Sequence, residues 1–244
     1  KKLEKKKKVT EKEIINPRII NIDIFKINLN FKINYEYIDN HKIIVIDNFY
    51  KYPDEVRNFA FNLPVYSMEW GNHNIESYRG NWVANEKDVQ EYSKVLNYLL
   101  PHDVEINMMA FTFYKFLKDK KKYKNKNHIW NIPHIDRMYN GIIYLNKKEE
   151  CSGGTSFFEH KKTKDFFIDN NNMNKYWNYV RDIKVNDDIE NNYKHNWNIL
   201  KTIKMKYNRL ILFNGRLFHS INFGKLEKPN SFNDNFRITQ NFYL

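Results

Sequence analysis

The chain has 244 residues, of which 41% are hydrophobic and 16% aromatic. This apolar content is enough to bury a sizeable core, and it excludes a wholly disordered chain. The formal net charge is +12, from 41 Lys and Arg residues against 29 Asp and Glu residues, so composition alone leaves open a polyanionic partner such as nucleic acid. We expect a basic N-terminal tail at residues 1–17 and a single domain at residues 18–244.

The number of cysteines and the hydropathy indicate the cellular compartment of the protein. The single cysteine, Cys151, has no partner for an internal disulfide, which fits a reducing compartment. No apolar run approaches the length of a membrane span, and the charged N-terminal run is not followed by an apolar segment. We therefore expect a cytoplasmic protein with no membrane partner.

The basic excess includes two Lys-rich runs, at residues 1–8 and 118–127. Runs of this kind are usually solvated tails and loops. We interpret the N-terminal run as a candidate contact with a protein assembly partner. Nucleic acid is a less favoured partner.

The N-terminal part of the chain predicts strands and two helices. Alternating apolar and polar residues at 20–33 predict a half-buried strand or hairpin, and a β-branched run at 42–50 predicts a buried strand. One helix begins at Pro53, followed by two acidic residues that suit a helix N-terminus. Residues 64–86 have no clear period and are interpreted as a loop, either the edge of a substrate pocket, which is favoured slightly, or an ordinary surface connection. A second helix is predicted at residues 87–100.

The C-terminal part predicts strands interrupted by one helical insertion. Residues 160–207 show helical spacing from Tyr176 to Ile183 and again from Trp197 to Ile203, which predicts an α-helical insertion. Asn214 and Gly215 predict a hairpin turn with a two-residue loop. The predicted strands lie at residues 104–117, 132–136, 141–145, 155–158 and 236–244.

A metal site is predicted from three residues. His134 and Asp136 are two positions apart on a predicted strand, where alternating side chains place both on the same side. One imidazole and one carboxylate are two of the three ligands of a 2-His-1-carboxylate iron site. The third ligand has to come from another strand, and His219, near the start of a later strand, is the candidate.

An anion site is predicted from the last strand. A buried guanidinium at Arg237 would be costly without an anion, and its planar fork of donors suits a carboxylate. Thr239 shares the face of Arg237 because the two positions differ by two. Tyr144, on a neighbouring predicted strand, adds a phenol to the same candidate site.

In this combination the four residues His134, Asp136, His219 and Arg237 resemble the motif of the 2-oxoglutarate/Fe(II)-dependent oxygenases. The segment between Tyr144 and Arg237, with its Gly-Gly turn, is similar to the prolyl-hydroxylase-like branch of that superfamily. Residues 42–244 as a whole resemble a subfamily of this branch that is frequent in bacteria and phages and whose substrates are largely unassigned.

The resemblance implies a fold and an activity. The fold is mainly β with α additions, a double-stranded β-helix core of the jelly-roll or cupin-like kind with N-terminal helices and the helical insertion at about 160–207. His134, Asp136 and His219 would be the catalytic Fe(II) ligands. With O2, the enzyme would hydroxylate a peptidyl or small-molecule substrate and release succinate and CO2. The residues implied to bind 2-oxoglutarate are Arg237, Thr239, Tyr144 and, as a weaker candidate, Tyr114.

Two other functions stay open at this point. The chain is alternatively a non-catalytic double-stranded β-helix with a binding or structural role, such as a phage particle component in a virion or the host cytoplasm. Nucleic-acid demethylation is suggested by the basic run at 118–127, but the second Arg of that branch's pattern is not evident after Arg237. Three further arginines, Arg79, Arg137 and Arg216, are candidates for contact with substrate, but the default expectation is that they face solvent.

Overall fold

The computed structural model describes residues 22–67, 75–81, 86–100, 108–116, 133–136, 139–181, 196–222 and 236–244. The predicted basic tail at 1–17 and the basic run at 118–127 lie outside these residues. The described chain is mainly β, as the sequence predicted, with three α-helices.

The described strands form two antiparallel sheets. The larger sheet has eight strands in the order β1-β2-β9-β6-β11-β5-β4-β3, and the smaller has three in the order β10-β7-β8. The strands are β1 (Lys32–Ile38), β2 (His41–Asp47), β3 (Val65–Ser67), β4 (Ile75–Asn81), β5 (Met108–Phe116), β6 (Tyr139–Tyr144), β7 (Gly154–His160), β8 (Trp197–Lys204), β9 (Arg209–Asn214), β10 (His219–Asn222) and β11 (Arg237–Tyr243).

Three helices accompany the sheets: α1 (Pro53–Asn62), α2 (Glu86–Leu99) and α3 (Met173–Arg181). Helix α1 begins at Pro53 because proline suits the first helical turn, and Asp54 and Glu55 complement the positive end of the helix dipole. None of the helices in the described segments combines the length and the apolarity needed to cross a bilayer.

The two faces of the eight-stranded sheet have different roles. We call the outer face the one that packs against α1 and α2, where Phe59 and Tyr92 meet sheet residues such as Phe111. The opposite, inner face meets the three-stranded sheet at its β2, β9 and β6 end, where Ile211 packs with Phe157 in a second apolar cluster. Burying each such side chain contributes on the order of 1.5–3 kcal/mol.

On strands β11 and β5, the inner face carries polar side chains. Arg237, Thr239 and Asn241 alternate along β11, and all three are buried. Thr112 of β5 is also buried, and its hydroxyl accepts a hydrogen bond of 2.6 Å from the Asn241 amide. The hydrogen bond between Asn241 and Thr112 makes the burial of these two side chains tolerable.

Two N-terminal predictions differ from the structure. The predicted strand or hairpin at 20–33 is strand from Lys32, where β1 begins, but it is preceded by a 3-10 helix (Ile22–Phe25) and a turn, in which the Asn28 side chain accepts the backbone N–H of Asn30 at 3.0 Å and breaks the extended chain. The predicted loop at 64–86 contains the β3–β4 hairpin. The sequence of β4 shows no regular apolar alternation, so its periodicity did not indicate a strand.

The second half of the predicted insertion is also wrong. Helix α3 lies within 160–207, but Trp197–Lys204 is strand β8, paired with β7. The register between β7 and β8 shifts at Leu200, so Trp197 and Ile203 point to opposite faces of the strand and pack in different apolar clusters. The apolar spacing of three, which a helix also allows, arises here from an irregular strand. Leu200, the third residue of the helical spacing, is 41% exposed.

The turn at Asn214 and Gly215 is not a two-residue hairpin. Strand β9 before it pairs with β2 and β6, whereas β10 after it pairs with β7 in the other sheet. The Asn214 side chain accepts a hydrogen bond from the backbone N–H of Arg216 at 3.0 Å. The backbone carbonyl of Asn214 accepts one from the backbone N–H of Leu217 at 3.1 Å. The turn therefore carries the chain from one sheet to the other and delivers His219 to the seam between them.

Candidate metal centre and inner-face pocket

The backbone brings His134 and His219 side by side. Each donates its N–H to the other's carbonyl, at 3.0 and 2.9 Å, in an isolated antiparallel bridge. The N–H of Asp136 donates to the Gly215 carbonyl at 2.8 Å. Residues directly opposite in such a bridge project their side chains to the same side, so the short segment at 133–136 is aligned with β10 although it forms no longer strand.

The side chains of His134, Asp136 and His219 converge. One donor atom from each lies within 4.8 Å of the other two, and the imidazole centroids are 4.5 Å apart. Nε2 of His219 is 3.3 Å from Oδ2 of Asp136. Two imidazoles and one carboxylate in this arrangement are the donor set of a facial 2-His-1-carboxylate site, so the three residues fit Fe(II).

The orientation of His219 is set by its second nitrogen. Nδ1 lies 2.8 Å from the Leu217 carbonyl, which can only accept, so Nδ1 carries a proton and donates it. In a neutral ring the lone pair is then on Nε2, where it can bind a metal ion, whereas in a protonated ring Nε2 donates to Oδ2 of Asp136. Phe213 packs edge-on against the ring at 4.8 Å. A histidine held in this way has the tautomer and direction that a metal ligand requires.

Asp136 is held as a carboxylate. Burial favours the neutral acid, but hydrogen bonding to His219, the charges of His219 and His134, and a hydrogen bond from Asn140 together bring the pKa of Asp136 well below its usual range. The Asn140 amide nitrogen donates to Oδ2 of Asp136. Sequence analysis missed Asn140; its spacing of four from Tyr144 on one strand, which places both on the same face, was an available signal.

Helix α3 contributes Tyr176 to the surroundings of the triad. Burial raises the pKa of Tyr176, and the negative charge of Asp136 raises it further, while a hydrogen bond with the Ile135 backbone lowers it. The Tyr176 ring also packs 6.3 Å from Phe218. The insertion therefore contributes a phenol to the surroundings of the candidate metal site.

Arg237 is buried in a separate polar niche on the inner face. Its Nη1 donates to the Gly154 carbonyl at 2.7 Å, and its Nη2 is 3.4 Å from the Thr155 hydroxyl. The guanidinium lies over the Tyr144 ring at 5.1 Å, and the Tyr144 hydroxyl is 2.8 Å from that of Thr155. Burial raises the pKa of Tyr144 despite the charge of Arg237, so the phenol stays a neutral donor. Thr155 was missed by sequence analysis.

The remaining predicted residues flank this niche. Thr239 is buried, and β-sheet register places it directly beside Tyr144. Tyr114 is the register partner of Arg237 on β5, and its side chain lies outside what the structure describes. Arg137 lies outside the described residues as well. The structure thus brings the three predicted metal ligands together and places Arg237, Tyr144 and Thr239 on one face of one sheet.

Comparison with known sequences places the chain in a family. Residues 29–244 match DUF6445, described as a family of unknown function. The chain belongs to DUF6445. The match spans both sheets and all the predicted site residues of this DUF6445 chain. No curated protein matches it in sequence.

Solved structures similar to the DUF6445 chain include two oxygenases. A crystal structure of an oxidoreductase of the 2OG-Fe(II) oxygenase family from Burkholderia pseudomallei aligns over 78% of this chain and 76% of its own, with 10% identity and a TM-score of 0.41. The Fe(II)/(alpha)ketoglutarate-dependent dioxygenase TqaL aligns over 78% and 73%, with 11% identity and a TM-score of 0.33. Both similarities are low, and what the site can do chemically follows from its own side chains.

Proposed function

We propose that this DUF6445 chain is an Fe(II)- and 2-oxoglutarate-dependent dioxygenase that hydroxylates a peptidyl or small-molecule substrate with release of succinate and CO2. The observation that carries the proposal is the convergence of His134, Asp136 and His219 within 4.8 Å. The two antiparallel sheets are consistent with the double-stranded β-helix that such enzymes use.

Three ligands that bind one side of an Fe(II) ion need a fixed geometry relative to one another. The backbone bridge between His134 and His219 sets the spacing of the two imidazoles, the Leu217 carbonyl orients His219, and Asn140 orients Asp136. Such outer partners are a large part of the affinity of metal sites. The bound iron would supply the activation of O2 against an unactivated C–H bond, which no side chain of the protein can provide.

Arg237 is the proposed partner of the far carboxylate of 2-oxoglutarate. Its guanidinium is buried, and in the niche it donates to the Gly154 carbonyl and lies beside the Thr155 hydroxyl. A buried cation is stabilised by an anion that accepts from its donors, and a carboxylate fits the guanidinium fork. The Tyr144 and Thr155 hydroxyls lie beside it as further donors.

Anaerobic metal binding tests the assignment. Protein loaded with Fe(II) and 2-oxoglutarate is expected to show a weak visible charge-transfer band, which His134→Ala abolishes. His41→Ala is the matched control, because it removes an imidazole that stacks on Phe167 and lies outside the triad. Persistence of the band in His134→Ala, or its absence in the wild type, would contradict the proposal.

Turnover separates an enzyme from a binding protein. On exposure to O2, the loaded protein is expected to form succinate in an amount that depends on both iron and 2-oxoglutarate. Metal binding without succinate formation would favour the non-catalytic alternative.

A further inference from the structure

Arg79 lies on β4 with its side chain on the inner face. A Cβ atom on the next residue, Gly80, would lie 3.2 Å from the Leu63 side chain, which belongs to the outer-face core. Because successive residues of a strand point to opposite faces, Arg79 points inward. Its register partner is Thr112, whose hydroxyl is bonded on the inner face. The prediction that Arg79 faces solvent is therefore wrong.

A row of side chains leads across the inner face from Arg79 to the Arg237 niche. Sheet register places Arg79 beside Thr112, Thr112 beside Thr239, and Thr239 beside Tyr144. Adjacent strands are about 4.8 Å apart, so the row from Arg79 to Tyr144 is on the order of 14 Å long. The two threonines between the ends are short. A row of small polar residues between a guanidinium and a phenol is suited to form the floor of a binding pocket.

Tyr243 connects Arg79 with the candidate metal centre. It lies on the inner face of β11, in register with Asn140, which itself bonds Asp136. Burial raises the pKa of the Tyr243 hydroxyl, the charge of Arg79 and a hydrogen bond from Arg79 lower it, and the charge of Asp136 raises it. Tyr243 is therefore hydrogen-bonded to the guanidinium of Arg79 and lies beside Asn140, the residue that bonds Asp136.

The Arg79 side chain retains an unmet donor. Its Nε is buried and has no hydrogen-bond partner in the described part of the structure. A buried charged donor without an acceptor is unfavourable, and an incoming acceptor relieves the cost. A buried donor without an acceptor is expected at a site that binds a ligand carrying an acceptor group.

The charges of the site leave Arg79 available for a second anion. Under the proposed function, the carboxylate of Asp136 is taken by the metal and Arg237 by the far carboxylate of 2-oxoglutarate. Arg79 is then a further cation on the same sheet face, linked through Tyr243 to the side of the triad. A guanidinium paired with a phenol recognises a carboxylate through several donors at once.

We propose that Arg79 and Tyr243 anchor the primary substrate through a carboxylate, so that this DUF6445 protein acts on an acidic small molecule or on a peptide segment with an acidic group. The inference rests on the proposed function and names the substrate class of the same site. The anchor is separate from Arg237, and the two arginines bind different anions.

Ligand-observed fluorine NMR tests the anchor without turnover. The protein is loaded with Zn(II) and saturated with 2-oxoglutarate, and trifluoroacetate serves as the carboxylate probe, with trifluoroethanol as the neutral control. The wild type is expected to broaden and shift the trifluoroacetate signal and not that of trifluoroethanol. Arg79→Met is expected to weaken trifluoroacetate binding at least five-fold, Arg79→Lys less, and Tyr243→Phe by an intermediate amount.

Competition distinguishes the two sources of the carboxylate. Displacement of trifluoroacetate by N-acetylglycine, a small monoanion, but not by a decapeptide of alternating Glu and Gly indicates a small acidic substrate. Displacement by that decapeptide, but not by its Gln counterpart, indicates a peptide. Equal trifluoroacetate binding in the wild type and in Arg79→Met overturns the proposal, as does no binding to the wild type.

The 2-oxoglutarate band separates this inference from the proposed function. With Fe(II) in place of Zn(II), Arg79→Met is expected to keep the band, whereas Arg237→Met is expected to lose it. Loss of the band in Arg79→Met would make Arg79 the cosubstrate anchor and overturn the inference alone. A missing band in the wild type would instead overturn the proposed function. Circular dichroism of each variant confirms that it is folded.

Discussion

His134 and His219 are 85 residues apart in sequence and yet exchange both backbone hydrogen bonds. The spacing of the two imidazoles is therefore set by main-chain pairing and not by side-chain packing alone. Because a main-chain bridge does not depend on side-chain identity, either histidine can be replaced without removing the hydrogen bonds that align the two segments. Loss of metal binding in such variants then reports on the ligand and not on a collapsed site.

Asn140→Ala should weaken metal binding without changing any ligand. The substitution removes the amide that donates to Oδ2 of Asp136 and leaves the carboxylate free to rotate. Loss of a partner of this kind typically lowers metal affinity about 10- to 100-fold. Calorimetric titration with Co(II) measures the change, and Asn62→Ala, an exposed asparagine that bonds only the backbone of its own helix in the described structure, is the control. Unchanged affinity would show that Asn140 does not support the site.

Gly154→Ala should destabilise the fold strongly. Gly154 has φ +154°, and a Cβ there would lie 2.0 Å from the Ile203 carbonyl oxygen, on the backbone of the neighbouring strand. Backbone strain and overlap together are expected to cost about 3 kcal/mol or more. Gly80→Ala is the control, because its Cβ would meet only side-chain atoms at 3.2 Å or more. Denaturant unfolding of both variants measures the difference; similar midpoints would contradict the explanation.

Glu150→Gln should lower stability by removing the charge that balances Arg57. The pair is bidentate, at 2.7 and 2.8 Å, and mostly buried, and Arg57 also donates to the Leu145 carbonyl. Breaking a buried pair from one side costs about 3–5 kcal/mol, because the other charge is left without its partner. The exposed Lys164–Glu159 pair offers the control Glu159→Gln, for which a far smaller change is expected. Thermal or chemical unfolding that ranks the two variants equally would argue against this account.

Asp47→Asn should show a stability loss that depends on pH. Burial alone would raise the pKa of Asp47, but hydrogen bonds from Arg209 and Lys206 lower it below its usual value. A lowered folded pKa means that the carboxylate contributes stability above its unfolded pKa of about 4 and that this contribution disappears as pH falls through the folded pKa. We expect a loss of about 2 kcal/mol at pH 7 that shrinks below pH about 4. Unfolding at several pH values measures it, and a pH-independent loss would refute the charge explanation.

The sequence predicted that three potential metal ligands converge, because each one's position follows from a simple feature of its own strand. His134 and Asp136 need only strand alternation to face the same way, and His219 only a position at the start of a later strand. Helices α1 and α2 were predicted within one residue at their starts because proline, acidic residues and apolar faces act within a few turns.

Features that depend on which sheet a strand joins could not be predicted. The Asn214–Gly215 pair reads as a hairpin, but the pairing partners of β9 and β10 lie elsewhere in the chain. Strand β8 has an apolar spacing of three, which a helix also allows. The inward direction of Arg79 follows from the packing of its neighbour Gly80 against the Leu63 side chain, a contact between distant parts of the chain that the sequence does not show.

The two faces of the eight-stranded sheet differ in polarity. Its outer face is an apolar layer shared with α1 and α2, and its inner face carries polar side chains along β11, β5 and β4. Substitutions on this inner strip leave the apolar layer unchanged, so they can alter the polar surface without removing the hydrophobic core. Under the proposed function, members of this family could therefore acquire new substrate preferences without loss of the fold.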